Sequence, residues 1–253
     1  MDNVALVTST FTTDPRTDHR FLLAQMMCTT AVTYGYKIIV VESSPDPEAA
    51  RMLREVGADV YTAEDAKMGP ARRQALKIGL DMGFDIIAWL EPEKVGMIPC
   101  FEPCLKMMKE GYDIIIPWRN RLFADYPHYQ ALSEATANFE MEKMTGMTLD
   151  LMCGPRIMTR ETATLFLSYE GRSRIDPSIT YNDQWGILFV PVLWALSDDG
   201  FKVGSCPVDY IHPAVQTKFE RYNAAMDKKR DIQRTELVDA MRQEHDLLVA
   251  NRH

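Results

Sequence analysis

The sequence predicts an α/β fold: a mostly parallel, Rossmann-like sheet flanked by helices, with a helical tail at the C-terminus. Three observations carry this expectation. Apolar runs at 4–8, 37–41, 59–62, 85–90 and 112–117 are the length of buried strands. Stretches with helical spacing separate them, at 20–33, 46–56, 68–82 and 99–109. Gly35, Gly57 and Gly83 stand where the first three helices should stop. Strands and helices alternating in this way make βαβ units with right-handed crossovers.

The first strand hands over to a polar loop, 9–18, containing Asp14-Pro15 and several threonines. The second ends in Glu42-Ser43-Ser44-Pro45-Asp46. These small hydroxyls and acids suit either the cap of the next helix or the base and ribose of a nucleotide. The third helix opens on Met68-Gly69-Pro70-Ala71-Arg72-Arg73. Cations are disfavoured in a first helical turn, so this arginine pair reads as surface charge or as the binder of an anion. The fourth strand, expected over 85–93, is the most informative stretch: Ile86-Ile87-Ala88-Trp89-Leu90 stops at Glu91-Pro92-Glu93. In an open parallel sheet, ligands gather beyond the strand ends. Carboxylates at i and i+2 of an extended segment point the same way, and two oxygen ligands there suit a hard divalent cation carrying phosphates. Isolated, the same two glutamates would be ordinary solvated loop charges.

Beyond Trp118-Arg119-Asn120-Arg121 the pattern changes. A helix is expected over 126–144, a return to the sheet over 149–156, a helix over 159–169, and an apolar segment 187–196 closed by 198–200. A late strand over 202–208 leads to Tyr210-Ile211-His212-Pro213. Residues 1–215 are expected to form one domain. Residues 216–253, with the basic cluster Lys228-Lys229-Arg230, are expected to form a helical extension packed on it or on a partner subunit, which makes a homodimer an expectation.

A net charge of −8 argues against nucleic-acid binding or an anionic membrane surface, both of which need a basic footprint. The five cysteines are irregularly spaced, and Cys100-x-x-x-Cys104 has no matching pair for zinc. The N-terminus carries no signal-peptide pattern and the 186–196 run is too short to span a bilayer, so a cytoplasmic protein with no transmembrane segment is expected. No Gly-x-Gly-x-x-Gly and no Gly-x-x-x-x-Gly-Lys-Ser/Thr loop follows a strand.

This order of pieces resembles the nucleotide-sugar glycosyltransferases of the GT-A fold, family 2-like in layout and similar to the mannosylglycerate synthase and glucosyl-3-phosphoglycerate synthase group. The likeness covers about residues 3–215. In that family Val41-Glu42-Ser43-Ser44 matches the nucleoside segment, Gly69-Pro70-Ala71-Arg72-Arg73 the helix beneath the donor, and Glu91-Pro92-Glu93 the Asp-x-Asp metal pair. Each ligand here is one methylene longer. Cys153-Gly154-Pro155-Arg156 resembles the turn beside the acceptor, Asp183-Gln184-Trp185-Gly186 the acidic segment beside the reacting sugar, and His212-Pro213 the C-terminal metal histidine.

The resemblance implies transfer of a sugar from a UDP- or GDP-sugar to a hydroxyl-bearing acceptor, with Mn2+ or Mg2+ on the diphosphate. It implies a metal set of Glu91, Glu93 and His212, and a donor set of Thr8, Glu42, Ser44, Lys67, Gly69, Arg72 and Leu90. The acceptor set is Gly154, Arg156 and Trp185, and with Arg119 these arginines suit an anionic acceptor. Asp183 is the catalytic candidate, a base in an inverting reaction or a stabiliser of the oxocarbenium-like centre in a retaining one. As an N-cap it would have a purely structural use. Two other classes compete. A sugar nucleotidyltransferase would carry a glycine-rich basic loop after the first strand, and 8–18 has neither glycine nor lysine. A non-catalytic nucleotide-sugar binder of the same fold is favoured by the Glu-for-Asp exchanges.

Overall fold

The computed structural model describes residues 3–198, 200–221 and 223–251. Asp199, in the expected turn after the apolar segment, lies outside them. The elements are β1 (Val4–Thr10), α1 (His19–Thr33), β2 (Lys37–Glu42), α2 (Pro47–Glu55), β3 (Asp59–Thr62), α3 (Met68–Asp81), β4 (Ile86–Trp89), α4 (Phe101–Lys109) and β5 (Ile114–Arg119). There follow α5 (Leu122–Asp125), α6 (His128–Thr145), β6 (Arg156–Thr159), α7 (Arg160–Leu167), α8 (Asp183–Gly186), α9 (Val190–Ser197), β7 (Val203–Val208), α10 (Ala214–Glu220) and α11 (Ala224–Ala250).

The strands form one seven-stranded sheet in the order β3-β2-β1-β4-β6-β5-β7. All neighbours pair parallel except β6, which runs antiparallel to both β4 and β5. The first five strands fall where their apolar runs place them, and the helix signals are met by real caps. Asp18 accepts from the Arg20 amide at 2.9 Å, and Asp46 accepts from Glu48 with Pro47 at the first helical position.

Two boundaries differ from expectation. β4 ends at Trp89, so Glu91–Glu93 is not strand but a turn running into the 3₁₀ segment Val95–Cys100. Residues 149–155 stay outside the sheet, with a 3₁₀ turn at Leu151–Cys153, and pairing begins only at Arg156. Proline at 92 and at 155 explains both, since each lacks the amide a ladder needs.

The sheet divides the apolar core in two. Trp89 faces the layer shared with α3, α7 and α9, and Leu90 faces the layer under α1 and α4. The tail is part of the first layer: Leu237, Val238, Met241 and Leu248 of α11 are buried in it. Glu244 of α11 is fully buried and accepts from the Trp194 indole at 2.6 Å and the Tyr181 hydroxyl at 2.9 Å. Without those donors a carboxylate there would be prohibitive. No helix among the described residues is long and apolar enough to cross a membrane.

Candidate active site

β1, β2, β4, β5 and β7 all deliver their carboxyl ends to one edge of the sheet, and the amino end of antiparallel β6 arrives at the same edge. A cleft of about 480 Å3 opens there, lined among others by Ser9, Thr10, Arg20, Ser43, Lys67, Arg72, Trp89, Glu91, Glu93 and Trp185. A smaller chamber of about 180 Å3 adjoins it, sharing Arg20, Glu91, Glu93 and Trp185 and adding Lys94, Gln130, Gly154, His212 and Arg230.

Arg72 is the centre of the cleft wall. Its guanidinium lies 5.3 Å from the ring centroids of both Trp89 and Trp185 and donates to the Gln184 carbonyl at 2.6 Å. Among the described residues no carboxylate bonds it, and its Nε has no partner. Burial pushes its pKa down to about 10 despite Glu91 and Glu93 nearby, which still leaves it charged at neutral pH. A buried cation without a bonded counter-ion at the mouth of a sheet is a ready anion site.

Glu91 and Glu93 both reach the cleft and the chamber. Burial raises the pKa of Glu91. Its carboxylate packs against Gly154, whose φ of +90° suits glycine alone. His212 stacks on Tyr126 at 3.9 Å between ring centroids. Burial, with the cations Lys94, Arg119, Arg230 and Arg20, pushes its pKa down to about 2, so the imidazole is neutral. Glu91 Oε2 and His212 Nε2 are both buried without a hydrogen-bond partner among the described residues. The carboxylate oxygen fits a hard divalent ion, and the neutral imidazole adds a nitrogen ligand that suits a transition metal better than Mg2+. Among the described residues no three His, Cys, Asp or Glu side chains already stand close enough to hold one.

Several expected site residues lie elsewhere. Thr8 and Leu90 are fully buried and do not line the cleft, which is lined by Ser9 after the first and by Trp89 and Glu91 on either side of the second. Glu42 and Ser44 spend their polar atoms on each other and on the first loop: Glu42 accepts from Thr10 Oγ1, from Ser44 Oγ and, at 2.6 Å, from the Ser44 amide. Ser43 is the member of that segment that lines the cleft. Arg156 lines neither cavity. Its guanidinium is sealed in the core and donates to the carbonyls of Leu188, Pro155 and Leu151 at 2.8–3.0 Å. Arg119 is likewise buried, against Asp150 and Glu134.

Asp183 departs furthest from its expected use. Its carboxylate is held by both terminal nitrogens of Arg73, at 2.6 and 2.9 Å, and it is Asn182 that caps α8. The cleft is lined by its neighbours Gln184 and Trp185. Gly69 is what lets this clamp close, since a Cβ there would lie 2.4 Å from Asp183 Oδ2 and 2.7 Å from its carbonyl. Gly69→Ala is therefore expected to destabilise the fold by about 1–3 kcal/mol, a fall of roughly 2–12 °C in Tm. It should also shift the emission of Trp185, and thermal unfolding followed by intrinsic fluorescence reads both effects.

Sequence reasoning missed Arg20, Lys94 and the partner of Asp183. Arg20 lines both cavities and pairs with Glu220 of α10 at 2.9 Å. Lys94 is buried, donates to the Tyr126 hydroxyl at 2.9 Å, and lies over the Tyr126 and Tyr210 rings. Its position directly after Glu-Pro-Glu was the available signal.

No protein-family model and no curated protein matches the chain. Solved structures do. Glucosyl-3-phosphoglycerate synthase from Mycobacterium tuberculosis, in complex with Mn2+, UDP-glucose and phosphoglyceric acid, superposes with a TM-score of 0.61 at 12% identity over 96% of this chain and 79% of that one. Mannosyl-3-phosphoglycerate synthase from Rubrobacter xylanophilus gives 0.56 at 15% identity over 95% and 74%. The chain thus has the GT-A fold, as its motif order implies.

Proposed function

We propose that the protein is a glycosyltransferase that moves a sugar from a UDP- or GDP-sugar to a hydroxyl-bearing acceptor. The observation that carries this is Arg72, buried between two indoles with no carboxylate bonded to it among the described residues, at the strand edge where Glu91 and Glu93 line the same cleft. Arg72, with Arg20 and Lys67 around it, would bind the diphosphate, and Ser43 with the β1 loop would take the nucleoside. Glu91, Glu93 and His212 would hold Mn2+ or Mg2+. That ion, when bound, supplies positive charge to the departing diphosphate. The neighbour's complex with Mn2+ and UDP-glucose supports this donor and metal class.

The acceptor would enter the smaller chamber, where Lys229, Arg230 and Arg234 of α11 supply charge for an anionic group. This replaces Arg156 and Arg119 in that role. Asp183 serves as a positioning residue: through Arg73 it fixes the segment that sets Trp185 over Arg72.

The Arg73–Asp183 pair also favours a second reading, nucleotide-sugar binding without transfer, because it occupies the carboxylate expected to act as the base. One assay separates the two: release of nucleoside diphosphate from a panel of UDP- and GDP-sugars with Mn2+, Mg2+ or EDTA. Metal-dependent release that falls at least about 100-fold in Glu91→Ala/Glu93→Ala is the expected result. Binding of a donor by thermal shift with no release under any condition, acceptor candidates included, would establish the binder. Release indifferent to EDTA and to the double substitution would remove the metal role.

A further inference from the structure

The outward face of α6 is more apolar than its inward one. Gln130, Ala131, Ser133, Ala137 and Met141 point into the protein, and most of them are small or polar. Outside stand larger side chains: Tyr129, Leu132 and Phe139 are 41%, 53% and 56% exposed. With exposed Thr136 and Lys143 they follow one another at 129, 132, 136, 139 and 143. Steps of three and four in alternation hold side chains on one narrow line, the seam that a helix offers to a second helix. The tail is built the opposite way, since α11 turns Leu237, Val238, Met241 and Leu248 into the chain's own core.

The seam has an apolar neighbour. Phe123 of α5 is 60% exposed, and a groove of about 490 Å3 runs beside α6, lined among others by Trp118, Phe123, Ala135, Phe139 and Glu142. A fully covered aromatic side chain buries roughly 150–250 Å2, so Phe123, Tyr129 and Phe139 with Leu132 leave on the order of 400 Å2 of apolar surface open. A monomer seldom exposes more in one patch. It is also about half of the roughly 800 Å2 that each partner brings to a stable interface, and the groove and the polar flanks of α6 are available for the rest.

We infer that this face binds a second copy of the chain, α6 against α6 about a two-fold axis, with the helices antiparallel. A two-fold interface must be complementary to itself. With the axis at the level of Glu134, Tyr129 of each copy meets Phe139 of the other, and Leu132 meets Thr136. Aromatic thus faces aromatic, and large faces small. Charge favours the same sense. His128, Ala135 and Glu142 recur one heptad apart along one flank of the seam, and antiparallel helices set like flanks together. His128 of one copy then comes beside Glu142 of the other, whose carboxylate bonds the Thr148 hydroxyl and no cation among the described residues. Parallel helices would instead stack Lys143 on Lys143. Antiparallel pairing also opposes the two helix dipoles. Tyr129 of the second copy arrives beside Phe139 at the lip of the groove, where Phe123 is covered in the same step. Nothing in this pairing depends on the chemistry proposed above.

Sedimentation velocity on the full chain, over a concentration series, reads the pairing. Wild type should show a reversible dimer. Leu132→Glu and Phe139→Glu replace exposed side chains, so each should keep the wild-type circular dichroism. Each should weaken the dimer at least about 30-fold, since it acts twice across a two-fold interface. Val249→Glu, at an exposed apolar position of the tail, should dimerise as the wild type does. The register is read by cysteines. When Leu132→Cys is mixed with tagged Thr136→Cys under mild oxidation, the mixed product should form in preference to either variant linked to itself, because a disulfide needs Cβ atoms nearly in contact. The wild type, whose own cysteines are buried or half-buried, sets the background.

Three results would overturn the α6 interface: a wild type that stays monomeric at every concentration, a dimer that survives both glutamate substitutions, and a dimer that Val249→Glu breaks instead. Each cysteine variant linking to itself, with no preference for the mixed product, would overturn the antiparallel arrangement. If a glutamate variant fails to fold, the other variant and the cysteine pair still decide.

Discussion

Gly154→Ala is expected to lower kcat/KM for donor turnover by at least about 100-fold, a loss near 2.7 kcal/mol in transition-state stabilisation. A Cβ at this position would fall 1.7 Å from Glu91 Oε1 and 2.2 Å from its Cδ, so the glutamate must leave the place that both cavities share. Alanine at φ +90° also costs about 1–3 kcal/mol of backbone strain. Gly111 supplies the control, since it has nearly the same φ, +88°, and open space where a Cβ would go. Gly111→Ala should show the strain in its Tm and keep full turnover. If the two variants lose turnover equally, the contact between Gly154 and Glu91 has no part in function.

Arg119→Met is expected to have the largest effect on stability, about 3–5 kcal/mol, or roughly 6–20 °C in Tm. Arg119 is 3% exposed and holds Asp150 through Nε and a terminal nitrogen, each at 2.7 Å, and Glu134 through the other at 2.6 Å. Removing it strands a buried carboxylate that the Asn138 amide, at 2.7 Å, and the backbone amide of position 119, at 3.2 Å, do not neutralise. The pH dependence gives a second readout. Burial pushes the Asp150 pKa up, but Arg119 outweighs burial and holds it below the ordinary 3.8. A depressed carboxylate stabilises the fold above its unfolded value, and that contribution is lost as pH falls through the lower folded value. Wild type should therefore lose stability on acidification below about pH 3.8, whereas the variant, with the Arg119 guanidinium no longer opposing burial at Asp150, should recover part of its deficit. Urea denaturation at stepped pH measures both slopes. Parallel slopes would show that the pair does not set the acid response.

What could be read from the sequence was local. The five N-terminal strands declare themselves as apolar runs, and Glu91, Glu93, Arg72, Lys67 and Trp185 all reach the cleft edge as their motifs suggested. What failed was non-local. Arg156 and Arg119 look like ligands until the core closes over them, because one letter says nothing of exposure. Asp183 looks like a free acid because Arg73 stands 110 positions away in the chain. Glu42 sits in the segment matched to the nucleoside site, but its carboxylate accepts from Thr10 of the neighbouring strand. Ser43 lines the cleft where Ser44 was expected, with its own hydroxyl donating to the Thr10 carbonyl at 2.9 Å.

The reversed strand sets a ruler across the site. Trp89 stands opposite Arg156 in the β4–β6 register, and counting two residues outward on each strand arrives at Glu91 and Gly154. Chain length is therefore counted tightly on this edge, and a one-residue insertion between 154 and 156 would move a bulky side chain into the space the glutamate occupies. At the opposite ends of the strands the bends around Gly83 and Gly111 have open space beside them. Insertions among descendants of this sequence should accumulate at those bends and be purged from the 89–93 and 152–156 segments, even where neither segment touches a ligand.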